Sequence, residues 1–320
     1  MSGKFRILSL DGGGLRGLTQ LIILKRIEEK TGKRIHELFD LIIGTSTGAI
    51  IAAGLTATKN NKPCLTIDKL IDLYFDHGDK IFPTQSNYFK RFLRTVRTLG
   101  SSKYKVDGLK GQLEKYFGDI RLSETIKPII ATSYDVENNE VIMFKTRRTD
   151  EFEYDLSLVD VCLSSTAAPS YFPPHEMNWM GVNGVFVDGG IYINNPSMAA
   201  VADALRYNYG REDLKIEDIQ LLSIGTGIYS KKIKSDSKDW GIAKWAVNIT
   251  GIMMHSTSKS VEYECEQMPF DKYLRLQFVL EEKEYIEMDD SRKSTLKELI
   301  SYVNNQILNK RFSEIESFFE

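Results

Sequence analysis

The sequence predicts an α/β fold in which a mostly parallel sheet lies between helices. Two apolar runs of strand length, 5–10 and 39–43, alternate with two helical patterns within the first 58 residues, and this alternation implies parallel strands. Both turns that lead from strand to helix are rich in glycine, at 12–14 and 44–48. The 320 residues show no internal repeat, no low-complexity segment and no clear linker, which favours one domain with insertions over two domains.

Each predicted element rests on a local pattern. The first helix carries an apolar stripe that begins at Leu18 and ends before Gly32, a residue suited to a helix C-terminus. The pair Asn138-Asn139 predicts a hairpin turn, and Pro196 suits the first turn of a helix. The predicted strands lie at 5–10, 39–43, 129–134, 141–144, 185–188, 219–225 and 273–280. The later predicted helices lie at 49–57, 155–163, 195–207 and, as one or two surface helices, 293–319.

Composition and charge exclude several classes of protein. Lysine and arginine total 42 against 44 aspartate and glutamate, and the net charge of −2 gives no global field for a stable nucleic-acid partner. The three cysteines, Cys64, Cys162 and Cys265, have neither metal-ligand spacing nor the pattern of a disulfide framework. The N-terminus lacks a signal-peptide pattern, and the apolar run 41–55 is broken at Thr45 and too short to span a bilayer. We therefore expect a cytoplasmic protein, at most peripheral on the inner membrane when active, without metal or cofactor.

The first segment that could carry chemistry is the glycine loop, residues 11–17 (DGGGLRG), between a strand and a helix. It matches the spacing of a dinucleotide-binding loop, but that fold needs an acid at the end of its second strand, where this sequence has Gly44-Thr45-Ser46. Alternatively the glycines form a plain tight turn, or they expose backbone N–H groups at a helix N-terminus. Such a nest of N–H groups would bind a phosphate or a developing oxyanion.

The second segment is Gly44-Thr45-Ser46-Thr47-Gly48, a GxSxG run between a strand and a helix of small residues. Its glycines permit the sharp turn that lifts a nucleophilic serine out of a sheet. A serine needs a base, and His255 with Asp188 would complete the usual hydrolase order. His255 lies in an apolar run without loop signals, however. Asp188-Gly189-Gly190 ends a predicted strand and offers a carboxylate base in the same crevice.

The segments 11–17, 44–48 and 188–190, in this order, resemble the motifs of the patatin-like phospholipases. The run SSTAAPSYFPP, the triplet Asn194-Asn195-Pro196 and LSIGTG at 222–227 are similar to that family as well. The resemblance is strong over residues 4–230 and thin to about 290. It implies a three-layer α/β/α domain over 1–290, with a lid-like insertion at about 80–106 and a helical tail at 291–320 packed on the same domain.

The resemblance also implies the chemistry. Ser46 would be the nucleophile and Asp188 its base, without a histidine, and the site would cleave phospholipid esters through an acyl-enzyme. Gly12, Gly13 and Gly14 would form the oxyanion hole with support from Arg16. The residues expected to shape these turns are Asp11, Gly17, Gly44, Gly48, Gly189 and Gly190. Gly190 stands where plant patatins often have alanine.

Two further segments bear on substrate and regulation. Residues 80–106 carry seven Lys or Arg and no acid, and Lys90, Arg91, Arg94 and Arg97 flank an apolar helical stripe. This segment is either a solvated surface helix, a lid that touches anionic headgroups, or a site for an anionic regulator. The apolar run 240–254 is interpreted as a buried helix, with an acyl-chain wall or a homo-oligomer contact as alternatives.

The function expected from the sequence is therefore a lipid acyl hydrolase acting on membrane phospholipid. In overall form the chain is also similar to bacterial patatin-like effectors of antiphage defence (CBASS), which implies a cyclic nucleotide as activator. Two alternatives from other classes remain open at this point. One is a nucleotide-binding regulatory protein that uses the glycine loop, and the other is a catalytically silent interaction protein.

Overall fold

A computed structural model of the protein describes residues 4–83, 102–151, 153–229, 242–280 and 288–320. The basic residues Lys90, Arg91, Arg94 and Arg97 lie outside these ranges, as does most of the predicted insertion. Among the helices of the described ranges, none has both the length and the apolar character needed to cross a bilayer.

The strands agree with the sequence prediction at most positions. They are β1 Phe5–Leu10, β2 Leu41–Thr45, β3 Thr58–Lys59, β4 Lys62–Pro63, β5 Ile129–Asp135, β6 Glu140–Lys145, β7 His175–Trp179, β8 Val182–Asp188, β9 Ile219–Ile224, β10 Ile228–Tyr229, β11 Lys272–Leu276 and β12 Val279–Leu280. The main sheet has the order β11-β9-β1-β2-β5-β8-β7, and β6 also pairs with β5. The four pairings from β11 to β5 are parallel, and those that involve β6, β7 and β8 are antiparallel.

The helices lie on both faces of this sheet. They are α1 Gly17–Thr31, α2 Ile35–Leu38, α3 Thr47–Thr56, α4 Ile67–Phe75, α5 Gly78–Ile81, α6 Asp107–Phe117, α7 Leu158–Thr166, α8 Ser197–Tyr207, α9 Ile242–Gln267, α10 Lys293–Val303 and α11 Asn309–Phe319. Buried side chains of β1 alternate between two cores: Leu8 and Leu10 pack with α1, α3 and α4, whereas Phe5 and Ile7 pack with α8. The architecture is the predicted three-layer α/β/α fold.

Two predictions need correction in detail. The predicted strand 273–280 is interrupted at Gln277, whose side-chain oxygen accepts the N–H groups of Gly227 and Phe278, and the chain then pairs with β10 instead of continuing along β9. Second, the run 240–254 is not a fully buried helix. On α9, Ile249 and Met253 are 41% and 45% exposed.

The C-terminal helices are more buried than the surface helices that the sequence predicted. Leu296, Leu299 and Val303 of α10 are fully buried. Ile315 and Phe318 of α11 are almost fully buried. These side chains join the same core as α1. The tail thus extends the hydrophobic core on the α1 face of the sheet.

Candidate active site

Ser46 stands at a sharp turn between β2 and α3. Its φ of 55° and ψ of −119° are unusual for a residue with a side chain, and such strain is typical of nucleophile elbows. The turn depends on close backbone contacts: a Cβ on Gly44 would lie 2.1 Å from the carbonyl carbon of Gly48, and one on Gly48 would lie 2.3 Å from the Leu10 carbonyl oxygen. The Ser46 N–H donates to Ser165 Oγ at 3.0 Å, and the positive end of α3 faces the serine.

Asp188 ends β8, and its carboxylate hydrogen-bonds the Ser46 hydroxyl. The Gly190 N–H also donates to Asp188 Oδ1, at 2.7 Å, which fixes the carboxylate. Burial raises the pKa of Asp188 to about 6, although both hydrogen bonds act in the opposite direction. The structure therefore brings Ser46 and Asp188 together and makes Asp188 a stronger base than an ordinary carboxylate.

The glycine loop follows β1, the neighbour of β2, and so reaches the same end of the sheet. Its first glycine is engaged, because the Gly12 N–H donates to the Asn194 carbonyl at 3.1 Å. Gly13 and Gly14 line the same cavity as Ser46, and their N–H groups donate to no described residue. The N–H groups of Gly13 and Gly14 therefore remain available to a ligand in the cavity. Gly12 instead anchors the loop.

Arg16 and Gly17 shape the end of the loop. The Arg16 N–H donates to the Gly13 carbonyl at 3.2 Å, so Arg16 supports the loop through its backbone. Gly17 starts α1 in close contact with Thr47, the residue after the serine. In the Asp188 turn, Gly189 packs in the same way against Thr132 of β5.

An apolar cavity opens beside Ser46 and Asp188. Its far walls come from α3 to α7 and the chain around them, and the apolar side chains that line it include Ile50, Leu73, Ile81, Phe82, Leu109, Phe172, Met254 and Met288. Phe82, Tyr104 and Phe172 form one aromatic cluster of tilted and edge-to-face rings with centroids 5.3–5.8 Å apart. The site thus combines a few polar groups with a long apolar surface.

The histidine alternative fits the structure poorly. His255 is exposed on α9, and the described groups that hydrogen-bond the Asp188 carboxylate are Ser46 and Gly190. Its neighbour Met254 lines the cavity instead. The dinucleotide alternative also loses support, because the space beside the glycine loop is apolar.

Several residues of the site escaped the sequence analysis. Ser165 holds the elbow and Asn194 holds Gly12, and both lie in segments that the family resemblance had marked without giving them a role. Met288 accepts the Leu15 N–H through its carbonyl at 2.8 Å, and Arg275 forms an ion pair with Asp11. Neither lies in a motif, and only the folded chain brings them to the loop.

Similarity to known proteins identifies the family of this chain. Residues 8–201 match the family model described as "Patatin-like phospholipase". The chain is 28% identical to "Patatin-like protein 2" of rice, over 97% of this chain and 85% of that protein. It is 29% identical to "Patatin-like protein 1" of Arabidopsis thaliana, over 95% and 81%, and 28% identical to "Patatin group J-1" of potato, over 96% and 84%. The chain belongs to the patatin-like phospholipase family.

Proposed function

We propose that this chain is a lipid acyl hydrolase of the phospholipase A type that uses Ser46 as nucleophile and Asp188 as base. The observation that carries the proposal is the hydrogen bond between the Ser46 hydroxyl and a buried carboxylate, at the edge of an apolar cavity. A nucleophile within hydrogen-bond reach of its base is the signature of covalent catalysis.

The reaction has two steps. Asp188 takes the hydroxyl proton as Ser46 Oγ bonds to the ester carbonyl carbon, and the oxygen of that carbonyl becomes an oxyanion. When the tetrahedral species collapses, the bond to the alcohol breaks, Asp188 returns the proton to this leaving group, and an acyl-Ser46 remains. Water, deprotonated by Asp188, then releases the fatty acid and restores the serine.

Oxyanion stabilisation carries much of the barrier reduction, because even a carboxylate with a pKa of about 6 is a weak base for a hydroxyl. The N–H groups of Gly13 and Gly14 suit this role, since no described residue accepts from them. One well-placed donor contributes about 3–4 kcal/mol to the transition state. The positive end of α3 supports the same charge.

The substrate class follows from the cavity. Its mostly apolar lining suits a fatty acyl chain and offers little to a nucleotide base or ribose. Long-chain phospholipids reside in membranes, so the protein would act while peripherally attached to one. The basic residues 90–97 are candidates for contact with anionic headgroups on sequence grounds.

The experiment compares wild type with Ser46→Ala in two assays. A fluorophosphonate probe should label wild type at Ser46 and leave Ser46→Ala unlabelled, and lipid analysis of treated vesicles should show free fatty acid and lysophospholipid only with wild type. Parallel samples with a panel of cyclic nucleotides test whether activation is needed. Failure of wild type to label or to hydrolyse any ester under all conditions would support a silent interaction protein instead.

A further inference from the structure

The residue directly before the glycines, Asp11, forms an ion pair that is buried on both sides. Arg275 Nη1 donates to Asp11 Oδ1 at 2.8 Å and Nη2 donates to Oδ2 at 2.5 Å, a two-point contact that fixes both distance and orientation. The exposed fractions of the two side chains are 1% for Asp11 and 7% for Arg275. The pair is therefore shielded from solvent and held rigidly.

Arg275 reaches Asp11 from the edge of the sheet. It lies on β11, in register with Ser223 of β9, and its Nη1 also donates to Ser223 Oγ at 2.8 Å. The Ser197 hydroxyl, at the start of α8, donates to the same Ser223 oxygen at 2.9 Å. One guanidinium thus connects the end of β1, the end of β9 and the start of α8. Residue 275 lies beyond the part of the chain that the family model matches, 8–201.

A glycine loop needs such attachments more than other loops do. Glycine has the largest conformational freedom in the unfolded chain, so consecutive glycines keep one conformation only when their neighbours are fixed. After Asp11, the described anchors are the Gly12 N–H on Asn194, the Thr226 hydroxyl on the Gly12 carbonyl and the Leu15 N–H on Met288. Gly13 and Gly14, between these anchors, carry the N–H groups proposed to hold the oxyanion. The direction of these two groups depends on where Asp11 and Gly12 are held.

Charge gives a second reason for the pair. An unpaired Asp11 carboxylate would stand two residues from donors that must stabilise negative charge. Arg275 supplies the opposing charge at direct contact, and Glu262 of α9 is a second carboxylate 3.8 Å from Arg275 Nε. Buried ion pairs contribute little net stability compared with apolar packing, so stability alone is a weak reason for this one.

From these contacts we infer that Arg275 is a positioning residue for the oxyanion donors of the glycine loop. It acts through Asp11 and does not touch the substrate. The catalytic part of this inference rests on the proposed function, whereas the effect on loop geometry does not.

The molecule offers a control in a second ion pair whose carboxylate is buried. Arg147 contacts Asp203 of α8 through Nε and Nη2, both at 3.1 Å, and the Asp203 side chain is 4% exposed. Neither residue lines the cavity. Loss of Arg147 should therefore disturb this ion pair without disturbing the loop.

The experiment uses the full chain with Arg275→Met, Arg275→Lys and, as control, Arg147→Met. With a short soluble ester, Arg275→Met should lower kcat at least tenfold while KM stays within twofold, because the donors act mainly in the transition state. Arg275→Lys keeps the charge without the two-point contact and should recover part of kcat. In Arg147→Met, Lys145 still pairs with Asp203, so the thermal midpoint should fall no further than in Arg275→Met, and kcat should stay within twofold.

Hydrogen exchange gives a readout that does not require activity. A peptide that covers residues 8–18 should exchange faster in Arg275→Met than in wild type, with no such change in Arg147→Met. If Arg275→Met does not fold, Arg275→Lys is measured in its place. Unchanged kcat with unchanged exchange in the folded variant, or an equal loss of kcat in Arg147→Met, would overturn the inference. If wild type hydrolyses no ester, the proposed function fails and the exchange comparison alone decides whether Arg275 holds the loop.

Discussion

The glycine loop after β1 and the Asp188 turn after β8 meet at one end of the sheet, and each contains a buried carboxylate. Burial raises the pKa of both Asp11 and Asp188. Asp11, however, faces a guanidinium at direct contact, whereas the described hydrogen-bond donors to Asp188 are the Ser46 hydroxyl and the Gly190 N–H. The first carboxylate is held in place by its two-point contact with Arg275. The second is left able to take and return a proton. Asp11 is therefore suited to hold the glycine loop in position, and Asp188 to transfer protons.

The largest expected effect is on turnover in Asp188→Asn. An amide cannot accept the hydroxyl proton, so kcat should fall at least about a thousandfold, which corresponds to ~4 kcal/mol. The short soluble ester and circular dichroism measure turnover and folding together. A folded Asp188→Asn protein with turnover near wild type would remove Asp188 as the base.

The two carboxylates should also respond in opposite directions in stability. Asp11→Asn leaves Arg275 buried opposite a neutral group, and such changes destabilise by about 3–5 kcal/mol. Asp188→Asn, in contrast, replaces a buried carboxylate whose ionised form is unfavourable in the folded protein. With a pKa of about 6 in the folded protein against 3.8 unfolded, the protonated form of Asp188 stabilises the fold below pH 3.8, and this contribution is lost as the pH rises through 6.

At pH 8, Asp188→Asn should therefore raise the free energy of unfolding by an amount on the order of 3 kcal/mol. Urea unfolding of both variants at pH 8 and at pH 4.5 measures these changes. The gain for Asp188→Asn should shrink at the lower pH, where wild-type Asp188 carries its proton. Destabilisation of both variants at pH 8 would show that the two carboxylates do not differ in the way described.

Alanine at one glycine of each region sharpens the comparison. A Cβ on Gly13 would lie 2.1 Å from Thr226 Oγ1 and 2.5 Å from Thr226 Cβ, so the loop must shift. A Cβ on Gly190 would lie 3.0 Å from Asp188 Oδ1 and 3.6 Å from Met254 Cε, contacts that small movements relieve. We expect Gly13→Ala to lower kcat about a hundredfold, as for loss of one oxyanion donor, and Gly190→Ala only a few-fold. Equal losses of kcat in the two variants would indicate that both turns tolerate an added methyl group equally well.

The sequence predicts one side of this comparison better than the other. The serine elbow, the Asp188 turn and the positions of most central strands follow from short motifs and apolar runs, because these depend on residues close in the chain. The partner of Asp11 does not. Arg275 is 264 positions away, in a strand whose sequence contains no motif, and only the register of β11 with β9 brings it to the loop. The engagement of the Gly12 N–H escaped prediction for a similar reason, since it depends on where the chain at Asn194 passes.

The smallest expected effect concerns the identity of the base. With Asp188 as base, kcat/KM should rise about tenfold per pH unit below 6 and level off above it, since the carboxylate must be ionised to accept a proton. His255→Ala should keep both this profile and kcat within twofold, because His255 is exposed and the Ser46 hydroxyl already has Asp188 as its acceptor. The measurement is kcat/KM for a soluble ester from pH 4.5 to 8.5 in both proteins. Two results would contradict Asp188 as the base: loss of the rise in kcat/KM below pH 6 in His255→Ala, or loss of turnover in that folded variant. Either would make His255 the base and Asp188 the residue that orients it.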